Sequence, residues 1–193
     1  MAQLTGPKKI NCAVFISGTG SNLKSLIQFS KKKNSPISIK LIISDNTKAK
    51  GLKFGKIFKI SNKVFNYNNK LIAEKKIISE IKDKKIKLIC LAGFMKILSK
   101  DFIKNFKGKI LNIHPSLLPK YKGLNTHQRT ISNCEKYSGC TVHFVNSRLD
   151  SGKIVLQKKV RISKNETAKS LAKKILSHEH KLYPKAIKKI FNL

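Results

Sequence analysis

An amide and an imidazole stand two residues apart at Asn112 and His114, in the run Asn112-Ile113-His114-Pro115-Ser116-Leu117-Leu118-Pro119. An apolar, strand-like segment precedes them. Alternation puts residues i and i+2 on one face of a strand, so both side chains point the same way. Pro115 and Pro119 then turn the chain out of a sheet into a stiff loop. An amide donor beside a titratable ring can stabilise an oxyanion and move a proton, the two needs of an acyl transfer.

Other segments hold residue types that could serve such a centre. Ser17-Gly18-Thr19-Gly20-Ser21-Asn22 lies where an apolar run gives way to a helical pattern. Free N–H groups there favour an anion such as phosphate, and a plain capped turn fits equally. The loop is neither a Walker loop nor a dinucleotide fingerprint, since no Gly-Lys-Ser/Thr follows and Leu23 takes the third glycine position. Asp150, before Ser151-Gly152, is either an Asx turn or a carboxylate able to raise the pKa of His114. His143 shares a strand face with Thr141 and Val145 and reads as a buried support. In His178-Glu179-His180 the histidines do not share a helix face, so the run is not a metal motif. Glu179 is either a surface group or an acceptor for sugar hydroxyls. Leu91-Ala92-Gly93-Phe94-Met95-Lys96-Ile97-Leu98 stays apolar past a glycine, as core or as the wall of a slot for a flat ring.

Alternating patterns must position these groups. Strands are expected at Ile10–Ser17, Ile37–Ser44, Lys63–Asn66, Ile86–Ala92, Lys109–Ile113, Gly139–Asn146 and Ile154–Ile162. Helices are expected from Ser21-Asn22, as caps, to about residue 32, and over Lys48–Phe58, Leu71–Asp83, Ser99–Phe106 and Thr126–Cys134. A long terminal helix spans Thr167–Phe191, kinked or interrupted at Pro184. Strands alternating with helices imply an α/β fold with a mostly parallel sheet. The short turn between the last two strands suits an antiparallel pair. Residues 1–9 read as a flexible leader and 10–193 as one domain.

The 193 residues carry a formal net charge of +33, with 42 Lys and Arg against nine Asp and Glu. Only Arg129, Arg148 and Arg161 are arginines, and the lysines are dispersed. That pattern fits a solvated surface shaped by A/T-rich codons, with charge selected for anionic ligands as the alternative. No apolar run approaches the roughly 18 residues of a membrane span, nor is there a signal peptide, so a cytoplasmic location is expected. Cys12, Cys90, Cys134 and Cys140 lack zinc spacing and read as reduced, structural thiols.

Taken together, SGTGSN (17–22), LAGFMKIL (91–98), NIHPSLLPKYKG (112–123), TVHFV (141–145), Asp150 and HEHKLYP (178–184) resemble the phosphoribosylglycinamide formyltransferase family of purine biosynthesis. The resemblance runs from Ile10 to about Pro184 and rests on the order and spacing of all six. It implies a single-domain Rossmann-like formyltransferase fold and transfer of a formyl group from 10-formyltetrahydrofolate to the amine of glycinamide ribonucleotide. It places the catalytic trio on Asn112, His114 and Asp150, with Thr141 and His143 behind them. Gly20, Ser21 and Asn22 would hold the substrate phosphate, Glu179 the ribose, and Gly93 and Pro115 the glycinamide side. Met95, Lys96, Ile97 and Leu98 would enclose the pterin with Asn146, Ser147, Arg148 and Leu149, and Lys70 would meet the folate tail. It implies no metal, no specific nucleic acid and no membrane, and a monomer or homodimer.

The family often carries Arg where this chain has Lys96 and near Lys70, and lysine keeps the charge but loses the fork. The chain also ends soon after the terminal helix, without a longer family tail. Methionyl-tRNA formyltransferase and formyltetrahydrofolate hydrolase share the Asn-His-Asp core, but each has a further domain for which this length leaves no room. A non-catalytic RNA-binding protein is the reading from another class; dispersed lysines without an aromatic stacking motif argue against it.

Overall fold

The computed structural model describes residues 9–192, so most of the expected leader, residues 1–8, lies outside the described residues. Seven strands form one sheet in the order β3-β2-β1-β4-β5-β6-β7. They are β1 (Ile10–Ile16), β2 (Ile37–Ser44), β3 (Ser61–Val64), β4 (Leu88–Leu91), β5 (Lys109–His114), β6 (Tyr137–Phe144) and β7 (Ile154–Arg161). The first five pair in parallel; β6 runs antiparallel to β7, as the sequence implied, and to β5 as well.

The helices are α1 (Ser21–Ser30), α2 (Lys53–Phe58), α3 (Lys70–Asp83), α4 (Lys100–Asn105), α5 (Thr126–Ser132) and α6 (Ala168–Ile190). Alternation divides β1 between two cores. Cys12, Val14 and Ile16 pack with Leu23, Leu26 and Ile27 of α1 and Ile175, Tyr183 and Ile187 of α6. Ala13 and Phe15 pack on the other face with Ile77 and Ile81 of α3 and Phe102 of α4. A strand buried on both faces reads as a continuous apolar run, which is why β1 and β2 were legible.

Several boundaries differ from expectation; β6, for one, spans Tyr137–Phe144 rather than Gly139–Asn146. β3 lies two residues earlier than Lys63–Asn66, on an exposed edge where hydrophobic periodicity carries little signal. The expected helix over Lys48–Phe58 divides into a 3-10 turn, Lys50–Leu52, followed by α2. The N-cap of α1 is Gly20 in the left-handed region, with Ser21 and Asn22 already inside the helix and no side chain capping it. Pro184 does not interrupt the 23-residue α6. Proline removes the N–H that would bond the carbonyl four residues earlier. Here that carbonyl, on His180, accepts the Ser25 hydroxyl of α1 at 3.0 Å.

No helix among the described residues is long and apolar enough to cross a membrane. Cys12, Cys90 and Cys140 are buried free thiols as anticipated, while Cys134 is exposed at the end of α5.

Candidate active site

Along β5 the pleat alternates: Leu111 and Ile113 enter the α1/α6 core, and Ile110 enters the α3/α4 core. Asn112 and His114 continue on the side of Ile110, where a strap after Pro115 and the β6–β7 connection replace helix cover. Antiparallel pairing sets Asn112 opposite His143 and His114 opposite Thr141. The β6–β7 register shifts between Val142 and His143, a bulge of the kind that re-aims a side chain.

Asp150 arrives from the connection after β6, at φ 45°. The connection folds tightly because Gly152 lies on the Phe144 carbonyl; a Cβ there would sit 1.7 Å from that oxygen. Asp150 Oδ2 lies 3.3 Å from His114 Nδ1 and accepts the Gly123 N–H at 2.9 Å. Asp150 Oδ1 accepts the Asn112 amide at 3.4 Å and stands 3.6 Å from His143 Nε2. The Asn112 amide also meets His143 Nε2 at 3.2 Å, and His143 Nδ1 is tied to the Phe144 carbonyl at 2.8 Å. Asn112, His114 and Asp150 therefore converge, with His143 behind them.

Thr141 organises the proline loop. Its hydroxyl donates to the Ser116 carbonyl at 2.6 Å and accepts the Leu118 N–H and the Gln157 amide.

His114 Nε2 faces the Tyr121 carbonyl at 2.8 Å, so both ring nitrogens meet oxygen acceptors. Only the imidazolium satisfies both. Asp150 does act to raise the pKa of His114, as expected, but it does not decide the net shift. Burial dominates and pushes the pKa below its ordinary value, although the Tyr121 carbonyl and Asp150 pull upward. A neutral ring carries a single N–H, so only one of the two contacts then holds a proton. For Asp150, burial raises the pKa, but the His143 ring, the Gly123 N–H and His114 outweigh it and hold the carboxyl below its usual range.

A second locus surrounds the start of α1. A Cβ on Gly20, at φ 74°, would stand 2.6 Å from Gly51 Cα, so the two backbones touch. No side chain caps the helix, which leaves its first N–H groups facing outward. Asn22 donates to Glu179 Oε2 of α6 at 2.6 Å, and its own Oδ1 has no partner among the described residues. Burial raises the pKa of Glu179, with the Asn22 bond opposing.

Between the loci, the Ser17 N–H bonds the Gly93 carbonyl, while the Ser17 hydroxyl accepts the Met95 N–H and donates to Asp45. A Cβ added at Gly93 would meet nothing within 4 Å, so space stands open above it. Pro115 is half-buried at the end of β5. Met95 and Ile97 are 64% and 61% exposed, whereas Leu98 is buried in the α3/α4 core. Lys96 Nζ stands 3.9 Å from Asp45 Oδ2. Asn146, Ser147, Arg148 and Leu149 are exposed on the connection that ends at Asp150. Lys70 is the first residue of α3, where the helix dipole opposes a cation, so helix stability does not explain it.

The model of the formyl transferase family matches residues 10–187. The chain belongs to the formyl transferase family. This formyl transferase is 44% identical to the phosphoribosylglycinamide formyltransferase of Haemophilus influenzae, over 94% of this chain and 86% of that one. It is 40% identical to the human trifunctional purine biosynthetic protein adenosine-3 over 93% of this chain, which spans only 18% of the human protein's length. Among solved structures, phosphoribosylglycinamide formyltransferase from Brucella melitensis superposes with a TM-score of 0.90 at 40% identity, covering 95% of this chain and 96% of that one.

Sequence reasoning missed Tyr121, Gly123 and Gly51. The first two act through backbone groups in the Lys-Tyr-Lys-Gly turn, where side-chain identity says nothing of a carbonyl facing His114. Gly51 was hidden inside an expected helix.

Proposed function

We propose that this formyl transferase moves the formyl group of 10-formyltetrahydrofolate onto the amine of glycinamide ribonucleotide. The convergence of Asn112, His114 and Asp150 supports formyl transfer. The observation that carries the acceptor is the bond between Asn22, at the uncapped start of α1, and the buried Glu179. A phosphate at Gly20, Ser21 and Asn22 lies within reach of helix N–H groups, and Glu179 accepts from ribose hydroxyls beside it. Gly93 and Pro115 flank the glycinamide arm. Met95, Lys96, Ile97 and Leu98, with Asn146 to Leu149, border the pterin, and Lys70 meets the folate carboxylates.

The amine attacks the formyl carbon, and a tetrahedral oxyanion develops. Asn112 and His114 turn donors toward it, each worth about 3–4 kcal/mol in comparable sites. In the resting site those donors face Asp150 and the Tyr121 carbonyl, which orient them before the substrate oxygen arrives. The new negative charge adds to that of Asp150 and raises the proton affinity of His114 as the reaction proceeds. The proton that the attacking amine loses passes, through water anchored by the Asp150 carboxylate, to the departing folate nitrogen as the carbon–nitrogen bond breaks. Asp150 holds the ring throughout.

The deciding assay incubates the protein with 10-formyltetrahydrofolate and, separately, glycinamide ribonucleotide, initiator methionyl-tRNA or water alone. Formylated ribonucleotide is the expected product. Its absence, with formyl-methionyl-tRNA or free formate appearing instead, overturns the proposal.

A further inference from the structure

Two backbone groups of the strap Lys120–Leu124 complete the candidate centre: the Tyr121 carbonyl against His114 Nε2 and the Gly123 N–H against Asp150 Oδ2. Both residues occupy the left-handed region, at φ 55° and 78°. A non-glycine residue there is held by its surroundings rather than by preference. The surroundings are α5 and the residues just after it. Arg129 Nη1 donates to the Lys122 carbonyl at 2.7 Å and reaches the Leu124 carbonyl at 3.4 Å, with its guanidinium 5.3 Å from the Tyr121 ring centroid. Asn133 donates its amide to the Tyr121 hydroxyl at 3.0 Å, and that hydroxyl donates to Glu135 Oε1 at 2.9 Å. Lys120 Nζ bonds the same carboxylate oxygen.

We infer that Arg129 and Glu135 are positioning residues for formyl transfer, acting through the strap to hold the Tyr121 carbonyl on His114 and the Gly123 N–H on Asp150. Neither touches the reacting groups. Arg129 and Lys120 are exposed, and exposed charge pairs add little to stability because water and salt screen them. What these contacts do is directional. Arg129 bonds two alternate carbonyls of the strap, and the carbonyl between Lys120 and Lys122, that of Tyr121, turns toward His114. Glu135 pins the other end of the same residue. Tyr121 is thus gripped by its ring, its hydroxyl and the peptide that follows it, while its own carbonyl serves the imidazole.

The inference rests on the proposed formyl transfer for its activity readout, and on His114 itself for an independent one. The proteins to compare are the parent, Arg129→Ala, Glu135→Ala, Tyr121→Phe and the Glu135→Ala/Tyr121→Phe double variant, each labelled with nitrogen-15. Ring-nitrogen correlation spectra of the ligand-free proteins report the proton on His114 Nε2, with His114→Asn supplying the assignment. The groups facing that ring are Asp150, His143, Arg129 and the Tyr121 carbonyl, with His127 nearby on α5. Arg129→Ala removes a charge that itself acts on the His114 ring, whereas Glu135 is not among the groups that shift it, so Glu135→Ala and Tyr121→Phe carry the decision.

Both of those variants are expected to shift or broaden the His114 Nε2 signal. They should lower kcat for ribonucleotide formylation by about tenfold, less than the roughly hundredfold of a full 1 Å misplacement. KM should stay within about twofold, and the double variant should lose less than the two single losses combined, because both remove the Tyr121–Glu135 bond. Thermal midpoints should stay close to that of the parent. Unchanged His114 signals, a loss of kcat that merely tracks lost stability, or additive effects in the double variant overturn the inference. If the parent does not formylate the ribonucleotide, the functional proposal fails and the His114 signals alone decide the positioning claim.

Discussion

The Glu179 carboxylate accepts the Asn22 amide at 2.6 Å although 157 residues separate them in the chain. The bond joins the first turn of α1 to the middle of α6 and fixes two groups proposed to hold a phosphate and a ribose. It also buries a carboxylate whose pKa is raised by that burial. A group raised on folding stabilises the protein below its unfolded pKa, and the contribution is lost as pH rises through the folded pKa. At neutral pH, above the unfolded pKa, burying Glu179 therefore works against the fold. Glu179→Gln keeps an acceptor for Asn22 and removes the charge. Thermal and urea unfolding at pH 7 should show a gain of about 0.5–2 kcal/mol, with a raised KM for the ribonucleotide. Lower stability with unchanged KM contradicts both parts.

His114→Ala and Asp150→Asn should each reduce kcat at least about 100-fold while the protein folds normally by circular dichroism. Near-normal turnover in either variant removes that residue from the mechanism.

Acid should weaken the fold before the carboxylates titrate. Burial lowers the pKa of both His114 and His127 from the ordinary 6.5. For such groups stability is present above the unfolded pKa and declines as pH falls through the folded values, because the unfolded chain takes protons that the native chain refuses. Each contributes at most about 1.4 kcal/mol per pH unit in that window. Urea unfolding at pH 7.5, 6.5 and 5.5 should show a falling free energy, most clearly with Glu179→Gln removing the opposite trend of that carboxyl, and His127→Gln should flatten the slope. A flat profile in Glu179→Gln argues against buried neutral rings.

Ser25 supplies the donor that Pro184 withholds from the His180 carbonyl. Ser25→Ala should destabilise the protein by about 1–3 kcal/mol, the usual result of stranding a half-buried acceptor. Pro184→Ala restores the helical N–H, so the double variant should lose less than the sum of the two singles. Additivity would show that the two groups do not share the carbonyl.

Much of this was legible in the sequence because the relevant signals are local. Continuous apolar runs marked the doubly covered strands β1 and β2, and the i, i+2 spacing of Asn112 and His114 fixed their common side. The short loop after Asp150 announced the antiparallel pair. What stayed hidden is nonlocal or carried by backbone. β3 is an exposed edge without a hydrophobic signature, and Gly51 matters only because Gly20 folds onto it. The direction of the His114 pKa depended on how deeply the ring is buried, against which a nearby carboxylate proved the weaker influence.

The reversal of β6 changes what a folding error would mean. In a purely parallel sheet, site residues sit in the loops beyond the strand ends, where length and conformation can drift. Here Asn112 faces His143, and His114 faces Thr141, on paired rungs inside the sheet. Cys140 and Val142, which alternate with Thr141 and His143 along β6, are fully buried in the α1/α6 core. A one-residue slip of β6 would push both apolar side chains into the site and drive His143 and Thr141 into oil. The core thus rejects misregistered chains before chemistry is attempted, so a correctly packed sheet already carries His143 and Thr141 at their posts.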